Sequence, residues 1–149
     1  MKKKRIITIS ILLVFLLVLL LYFQLGNKCK GFALCFEGEV ERVIDGDTLK
    51  IGGYTVRLSL VDTPERGEEG FDEAKKFTEN LCPVGSRVLV DQDDGQRFDT
   101  YGRLIGVVYC NGKNLNAELI LNGLGKVDER FCLRSEFSRE KWATTFCGQ

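Results

Sequence analysis

Hydrophobic and polar positions follow three different rhythms along this chain. Four basic residues, Lys2, Lys3, Lys4 and Arg5, precede a stretch without any charge over residues 6–27, within which residues 11–23 are unbroken apolar sequence. At ~1.5 Å per residue that stretch suffices to cross a ~30 Å hydrocarbon core as a helix. Beyond it the rhythm shortens. Residues 36–44 carry apolar Val40, Val43 and Ile44; residues 48–51 and 54–61 flank Gly52-Gly53 and read as a hairpin. The second arm, Val56-Arg57-Leu58-Ser59-Leu60, alternates, so Arg57 and Ser59 take the face opposite Val56, Leu58 and Leu60. Residues 68–81 then switch to helical spacing through Phe71, Ala74, Phe77 and Leu81. Two more strands are predicted over 87–91 and 104–109, and a short helix over 115–122 that Gly123 stops. Ser135 is placed to cap a last helix running through Trp142 and Phe146.

Five strands, with a helix after the third and two more at the end, predict an α+β domain: a five-stranded Greek-key barrel of the OB-fold kind with about three helices. One N-terminal transmembrane helix precedes it. The organisation expected is a membrane anchor or uncleaved signal over 1–27, a short linker over 28–38, and a domain over 39–149 ending in a cysteine-flanked helix. The alternative for the first segment is a removed signal, although Gln24-Leu25-Gly26-Asn27-Lys28 offers no small-residue cleavage pattern. The excess of positive charge before the span puts the domain outside the cytoplasm, membrane-anchored or secreted.

Charge and cysteines refine this picture. Six of the 21 basic side chains lie in residues 1–30, which hold no acidic residue, so the remainder carries fifteen basic against 21 acidic groups. Such a domain does not attract polyanions at long range; any phosphate chemistry has to come from local arginines and a bound cation. Six cysteines (Cys29, Cys35, Cys82, Cys110, Cys132 and Cys147) all follow the apolar run, where disulfides persist. Fifteen connectivities are possible; the sequence-local choice is Cys29 with Cys35, Cys82 with Cys110 and Cys132 with Cys147.

The chain has no histidine. This excludes Ser-His-Asp triads, Cys-His pairs, HExxH zinc sites and histidine bases together, so a catalytic base would be a carboxylate. Candidate chemistry sits in three stretches: Asp45-Gly46-Asp47-Thr48, then Arg57 to Glu65, then Asp99-Thr100-Tyr101-Gly102-Arg103. Carboxylates at turns hold a hard cation through oxygen, and strand-borne guanidiniums fork onto phosphate oxygens. Asp45 does not open an EF-hand, because its twelfth position is Val56, and Asp91-Gln92-Asp93-Asp94-Gly95 is read as a solvated acidic turn. Alone, each stretch is an ordinary turn or strand end. Their ordered coincidence carries the functional reading.

That ordered set, together with Leu115-Asn116 and Gly123-Leu124-Gly125-Lys126-Val127, resembles the staphylococcal nuclease (thermonuclease) family over residues 39–127. The resemblance implies an OB-fold barrel with calcium-dependent phosphodiesterase activity on DNA and RNA. It further implies Asp47, Asp62 and the Thr63 carbonyl as Ca2+ ligands with Asp45 behind them, and Glu65 as the base or water-orienting carboxylate. Arg57 and Arg103 would hold the scissile phosphate, and Tyr101 would line the nucleotide pocket. Two departures stand out: Asp128-Glu129-Arg130-Phe131 replaces a segment where relatives have substrate-contacting tyrosines, and Thr100 stands where a lysine is expected. The expected partners are a nucleic-acid substrate and the membrane, with the protein a monomer. A non-catalytic OB-fold module binding nucleic acid or protein is the alternative, and a phosphodiesterase acting on a small nucleotide is a third reading.

Overall fold

The computed structural model describes residues 14–16 and 28–148. The predicted membrane span lies almost wholly outside them, and among the described residues no helix is long and apolar enough to cross a membrane.

Local sequence sets the first turns of the barrel. Strand β1 (Cys35–Val43) is followed by β2 (Thr48–Ile51) and β3 (Tyr54–Leu58). Gly52 and Gly53 join β2 to β3 with φ of 53° and 86°, the left-handed pair that a two-residue hairpin needs and glycine supplies without strain. β1 is long enough to serve two neighbours. Its second half pairs with β2, with a bulge between Val40 and Arg42. Its first half, from Cys35 opposite Asp91 to Glu39 opposite Arg87, pairs with β5 (Arg87–Gln92). Residues 35–38, expected to be linker, are therefore barrel strand.

Closure comes from β6 (Leu104–Cys110), antiparallel to β5 and parallel to β3, with Val56 opposite Leu104 and Leu58 opposite Gly106. The cycle β1-β2-β3-β6-β5 returns to β1, a closed barrel without free edges. Its interior is filled by Val40, Leu49, Ile51, Val56, Val90, Leu104 and Val108, each at most 1% exposed. β6 is buried along almost its whole length, and the helix over Leu115–Leu121 packs against it.

Helix α1 (Phe71–Leu81) starts three residues later than the spacing suggested, since Gly70 holds φ 89° at its N-cap. It buries Ala74 and Thr78. The two-residue strand β7 (Lys113–Asn114) leads into α2 (Leu115–Leu121), which Asn114 caps by accepting the Ala117 N–H at 3.1 Å. Asn116 on α2 is fully buried and ties β6 to the turn after β3: its Nδ2 donates to Ser59 O at 2.8 Å and its Oδ1 accepts from Val108 N at 3.2 Å.

Three departures from the predicted elements matter for the site. The arm expected over 54–61 breaks after Leu58, where Leu60 takes φ 59° and the chain turns into a separate strand, β4 (Val61–Asp62). β4 pairs with β8 (Lys126–Val127) in a ribbon apart from the barrel, Val61 opposite Val127 and Asp62 opposite Lys126. The last helix is split. Ser135 caps a 3-10 turn (Glu136–Arg139), Glu140 is extended, and α3 occupies Lys141–Cys147. Finally, the acidic turn expected in solvent is buried: Asp91 and Asp93 are 0% exposed. Asp93 accepts from Ser59 Oγ at 2.6 Å and from Gly95 N at 3.0 Å, while Asp94 accepts from Phe32 N at 2.8 Å. These carboxylates satisfy loop backbone that would otherwise be orphaned. The three disulfides join Cys29 to Cys35, Cys82 to Cys110 and Cys132 to Cys147, with Cα separations of 6.0, 5.4 and 5.3 Å.

Candidate active site

The turn between β1 and β2 is compressed. Ile44 N donates to Thr48 O at 2.9 Å, and Gly46 sits where a Cβ would lie 2.7 Å from Thr63 Oγ1 and 2.9 Å from the Ala74 Cβ. Glycine is required there by space. The Gly46 carbonyl accepts from Thr78 Oγ1 at 2.6 Å, which fixes the turn against α1.

This packing delivers Asp47, 4% exposed, into a cage of donors. Its Oδ2 accepts from Thr63 N at 2.7 Å and Thr63 Oγ1 at 2.9 Å; its Oδ1 accepts from Thr48 Oγ1 at 3.1 Å. Register does the rest, because Arg57 on β3 lies directly across from Thr48 on β2. The Arg57 guanidinium forms an ion pair with Asp47 through Nη1 and donates from Nη2 to Asp62 Oδ1 at 2.9 Å. Burial acts to lower the Arg57 pKa, but Asp47, and beyond it Asp62 and Asp45, raise it above the ordinary arginine value. Asp45 goes the opposite way to a paired carboxylate: burial, and then the negative charge of Asp47, push its pKa up. Asp45, Asp47, Arg57, Asp62 and Thr63, separate in sequence, are thus gathered at one end of the barrel.

Arg57 also reaches a cleft of about 410 Å³, lined among others by Tyr101, Arg103, Asp128 and Arg130. The loop before β6 is shaped by Asp99, whose Oδ1 accepts the Tyr101 and Arg103 N–H groups, each at 2.9 Å, and whose Oδ2 accepts from Arg103 Nε at 2.6 Å. Burial raises the Asp99 pKa, but these bonds with Arg103 and Tyr101 outweigh it and leave it below the usual carboxylate value. Tyr101 is 84% exposed, with the Arg103 guanidinium 5.5 Å from its ring centroid. A second cleft of about 310 Å³ contains Asp62, Thr63, Pro64 and Lys126. Glu65 stands on the exposed loop between β4 and α1, its N–H donating to Glu68 Oε2 at 2.7 Å, and it lines neither cleft.

The donors suit a hard cation in kind. Asp45, Asp47, Asp62 and the Thr63 carbonyl offer oxygen alone, the donor type a hard cation takes. Arg57 already engages both Asp47 and Asp62, so a cation and the guanidinium compete for the same oxygens. Elsewhere, Cys29, Cys35 and Asp91 bring their ligand atoms within 4.8 Å of one another, but both sulfurs are spent in a disulfide. Sequence reasoning did not assign Asp128 and Arg130 to this cleft. The available signal was their position, in the segment where relatives carry substrate-contacting tyrosines.

Residues 55–141 match the family model described as Staphylococcal nuclease homologue. The chain is 38% identical over 98 residues to endonuclease YncB of Bacillus subtilis, covering 59% of this chain and 46% of that protein. It is 36% identical over 98 residues to the SPbeta prophage-derived endonuclease YokF of the same organism, covering 59% of this chain and 33% of YokF. Over 93 residues it is 34% identical to a staphylococcal-like nuclease of Arabidopsis thaliana, covering 60% and 26% of the two chains. It spans less than half the length of each of these relatives. With the family model covering more than half of it, and with a closed barrel that brings Asp47, Arg57 and Asp62 together, the chain belongs to the staphylococcal nuclease homologue family.

Proposed function

We propose that this domain is a calcium-dependent nuclease that hydrolyses phosphodiester bonds of DNA or RNA. The observation that carries the reading is Arg57, which contacts two carboxylates of the candidate cation site and lines the cleft that also holds Tyr101 and Arg103. Asp47, Asp62 and the Thr63 carbonyl would hold Ca2+, with Asp45 adding negative charge behind them. Bound there, the ion supplies Lewis-acid polarisation of a phosphoryl oxygen.

This chain's own residues do the rest. Arg57 exchanges its contact with Asp62 for the scissile phosphate and, with Arg103, spreads planar donors over the oxygens where charge accumulates. Asp99 keeps Arg103 oriented through its Nε, which reduces the rotamer freedom lost on binding. Glu65, on its exposed loop, accepts the proton of the attacking water. Tyr101 offers an aromatic face to a base. The family relationship and the endonuclease names of the Bacillus relatives support the reaction class.

The apolar segment over 6–27 would anchor the domain outside the cytoplasm, or be removed on secretion; the three disulfides support an oxidising compartment. Incubating the full-length protein with single-stranded DNA, in calcium and in chelator, tests the central claim. Calcium-dependent cleavage is expected. Binding without cleavage in either condition would leave a non-catalytic OB-fold binding module as the better account.

A further inference from the structure

Immediately after β8 the chain makes a 3-10 turn (Glu129–Phe131) capped by Asp128, whose own N–H donates to Leu60 O at 3.0 Å. The Asp128 carboxylate accepts from Arg130 Nε at 2.8 Å and from Nη2 at 2.7 Å, a side-on fork that fixes the plane of the guanidinium. Arg130 Nη1 has no protein partner among the described residues. The two side chains are unequally buried, Asp128 at 10% exposure and Arg130 at 78%. A surface pair formed for its own sake would leave both ends wet. Here a shielded carboxylate, held below the usual range first by Arg130 and also by the charge of Arg57, presents a guanidinium outward.

That guanidinium lines the same cleft as Arg57 and Arg103. Arg103 is held in the same manner, by an aspartate preceding it in its loop. Two separate loops therefore offer oriented arginines around Arg57, Arg130 exposed and Arg103 partly buried. Because the chain beyond residue 30 carries more acidic than basic groups, general attraction does not hold a polyanion there, and each phosphate requires its own local donors.

We infer that Arg130 is a substrate-binding residue gripping a phosphate next to the scissile one, so that the cleft reads successive phosphates of a single strand. This rests on the phosphodiesterase reading above. It assigns the protein a preference for a strand over an isolated phosphodiester, a preference that Arg57 and Arg103 at the scissile group do not create.

The test compares full-length parent, Arg130→Ala, Arg130→Lys and Asp128→Asn proteins on two probes. One is a short fluorescein-labelled single-stranded oligodeoxynucleotide, read by anisotropy and by cleavage; the other is bis(p-nitrophenyl) phosphate, which has one phosphate. Arg130→Ala is expected to weaken binding and raise KM for the oligonucleotide about tenfold. It should leave kcat within about twofold and reduce the slope of log Kd against log salt by ~0.7. Hydrolysis of the one-phosphate ester should not change. Arg130→Lys should retain the salt slope but not the full affinity, and Asp128→Asn should fall between the parent and Arg130→Ala. Equal losses on both probes, or unchanged oligonucleotide affinity and slope, would overturn the inference. A parent that binds the oligonucleotide without cutting it defeats the nuclease reading, while the binding arm still decides the role of Arg130. A parent that neither binds nor cuts defeats both.

Discussion

Replacing Asp47 by asparagine separates what the site needs in order to fold from what it needs in order to react. The Asp47 carboxylate accepts three protein hydrogen bonds, from Thr63 N, Thr63 Oγ1 and Thr48 Oγ1, and faces Arg57. An amide keeps the shape but loses the charge, and its NH2 must turn toward either the Thr63 donors or the guanidinium, donor against donor. Removing one partner of a buried ion pair costs ~3–5 kcal/mol. Arg57, with a side chain 17% exposed, retains Asp62 at 2.9 Å; allowing for this second partner, the expected loss is ~2 kcal/mol, or ~8 °C in Tm. Asp62→Asn is the control. Its carboxylate is 52% exposed, so the stability change should stay within ~0.5 kcal/mol, yet it should raise the calcium needed for half-maximal rate as Asp47→Asn does. Urea unfolding in chelator, followed through the fluorescence of the largely buried Trp142, measures the first effect. Rate against calcium concentration measures the second. Equal stability of the two variants in chelator would refute the idea that the Asp47–Arg57 pair supports the fold of the site.

Other expectations are independent of that comparison. Glu65→Gln should cut turnover by on the order of 10²–10⁴ without moving the calcium titration, and a variant as fast as the parent would exclude Glu65 as the base. Arg57→Lys and Arg103→Lys should each lower turnover at least ~10-fold despite the retained charge, because an ammonium cannot fork onto phosphate; parental rates would remove bidentate grip from the mechanism. Burial raises the Asp91 pKa to about 6, above its unfolded value, so the ionised form is a penalty that is fully present above pH 6 and fades as pH falls toward the unfolded value. Asp91→Asn should therefore stabilise the protein by ~1–3 kcal/mol at pH 8 and by much less near pH 4. A urea midpoint difference that does not change with pH would contradict this.

Much of the site was legible because its residues are fixed by short-range rules. Alternation on β3 set Arg57 apart from Val56 and Leu58, and hairpin register then placed it across from Thr48, next to Asp47. The Gly-Gly turn and the β-strand pattern likewise led to the barrel. The turn at Leu60 was hidden, because a left-handed leucine has no signal in composition and continues an apolar alternation without a break. Ser59 was placed on the face away from the apolar positions, and that face is closed by Asp93 at 2.6 Å and Ser135 at 3.0 Å. The burial of Asp91 and Asp93 was unreadable because Lys30 N bonds Asp91, and Ser59 Oγ and Glu136 N bond Asp93, from far along the chain, while acidic residues beside a glycine read locally as solvent-facing. The pairing of β4 with β8 involves strands of two residues each, too short for any periodicity to register.

That two-residue ribbon sets the completion of the site apart from the closure of the barrel. The barrel cycle ends with β6 at Cys110, whereas Asp62 finds its strand partner at Lys126 and Asp128 anchors to Leu60 only after that. All strand pairings of the barrel cycle thus lie within residues 35–110, while the loop carrying Asp62 takes its brace from residues 126–128. The cleft is therefore completed by a segment that follows every barrel strand in the chain, and the finished site depends on a contact that the barrel strands do not make among themselves.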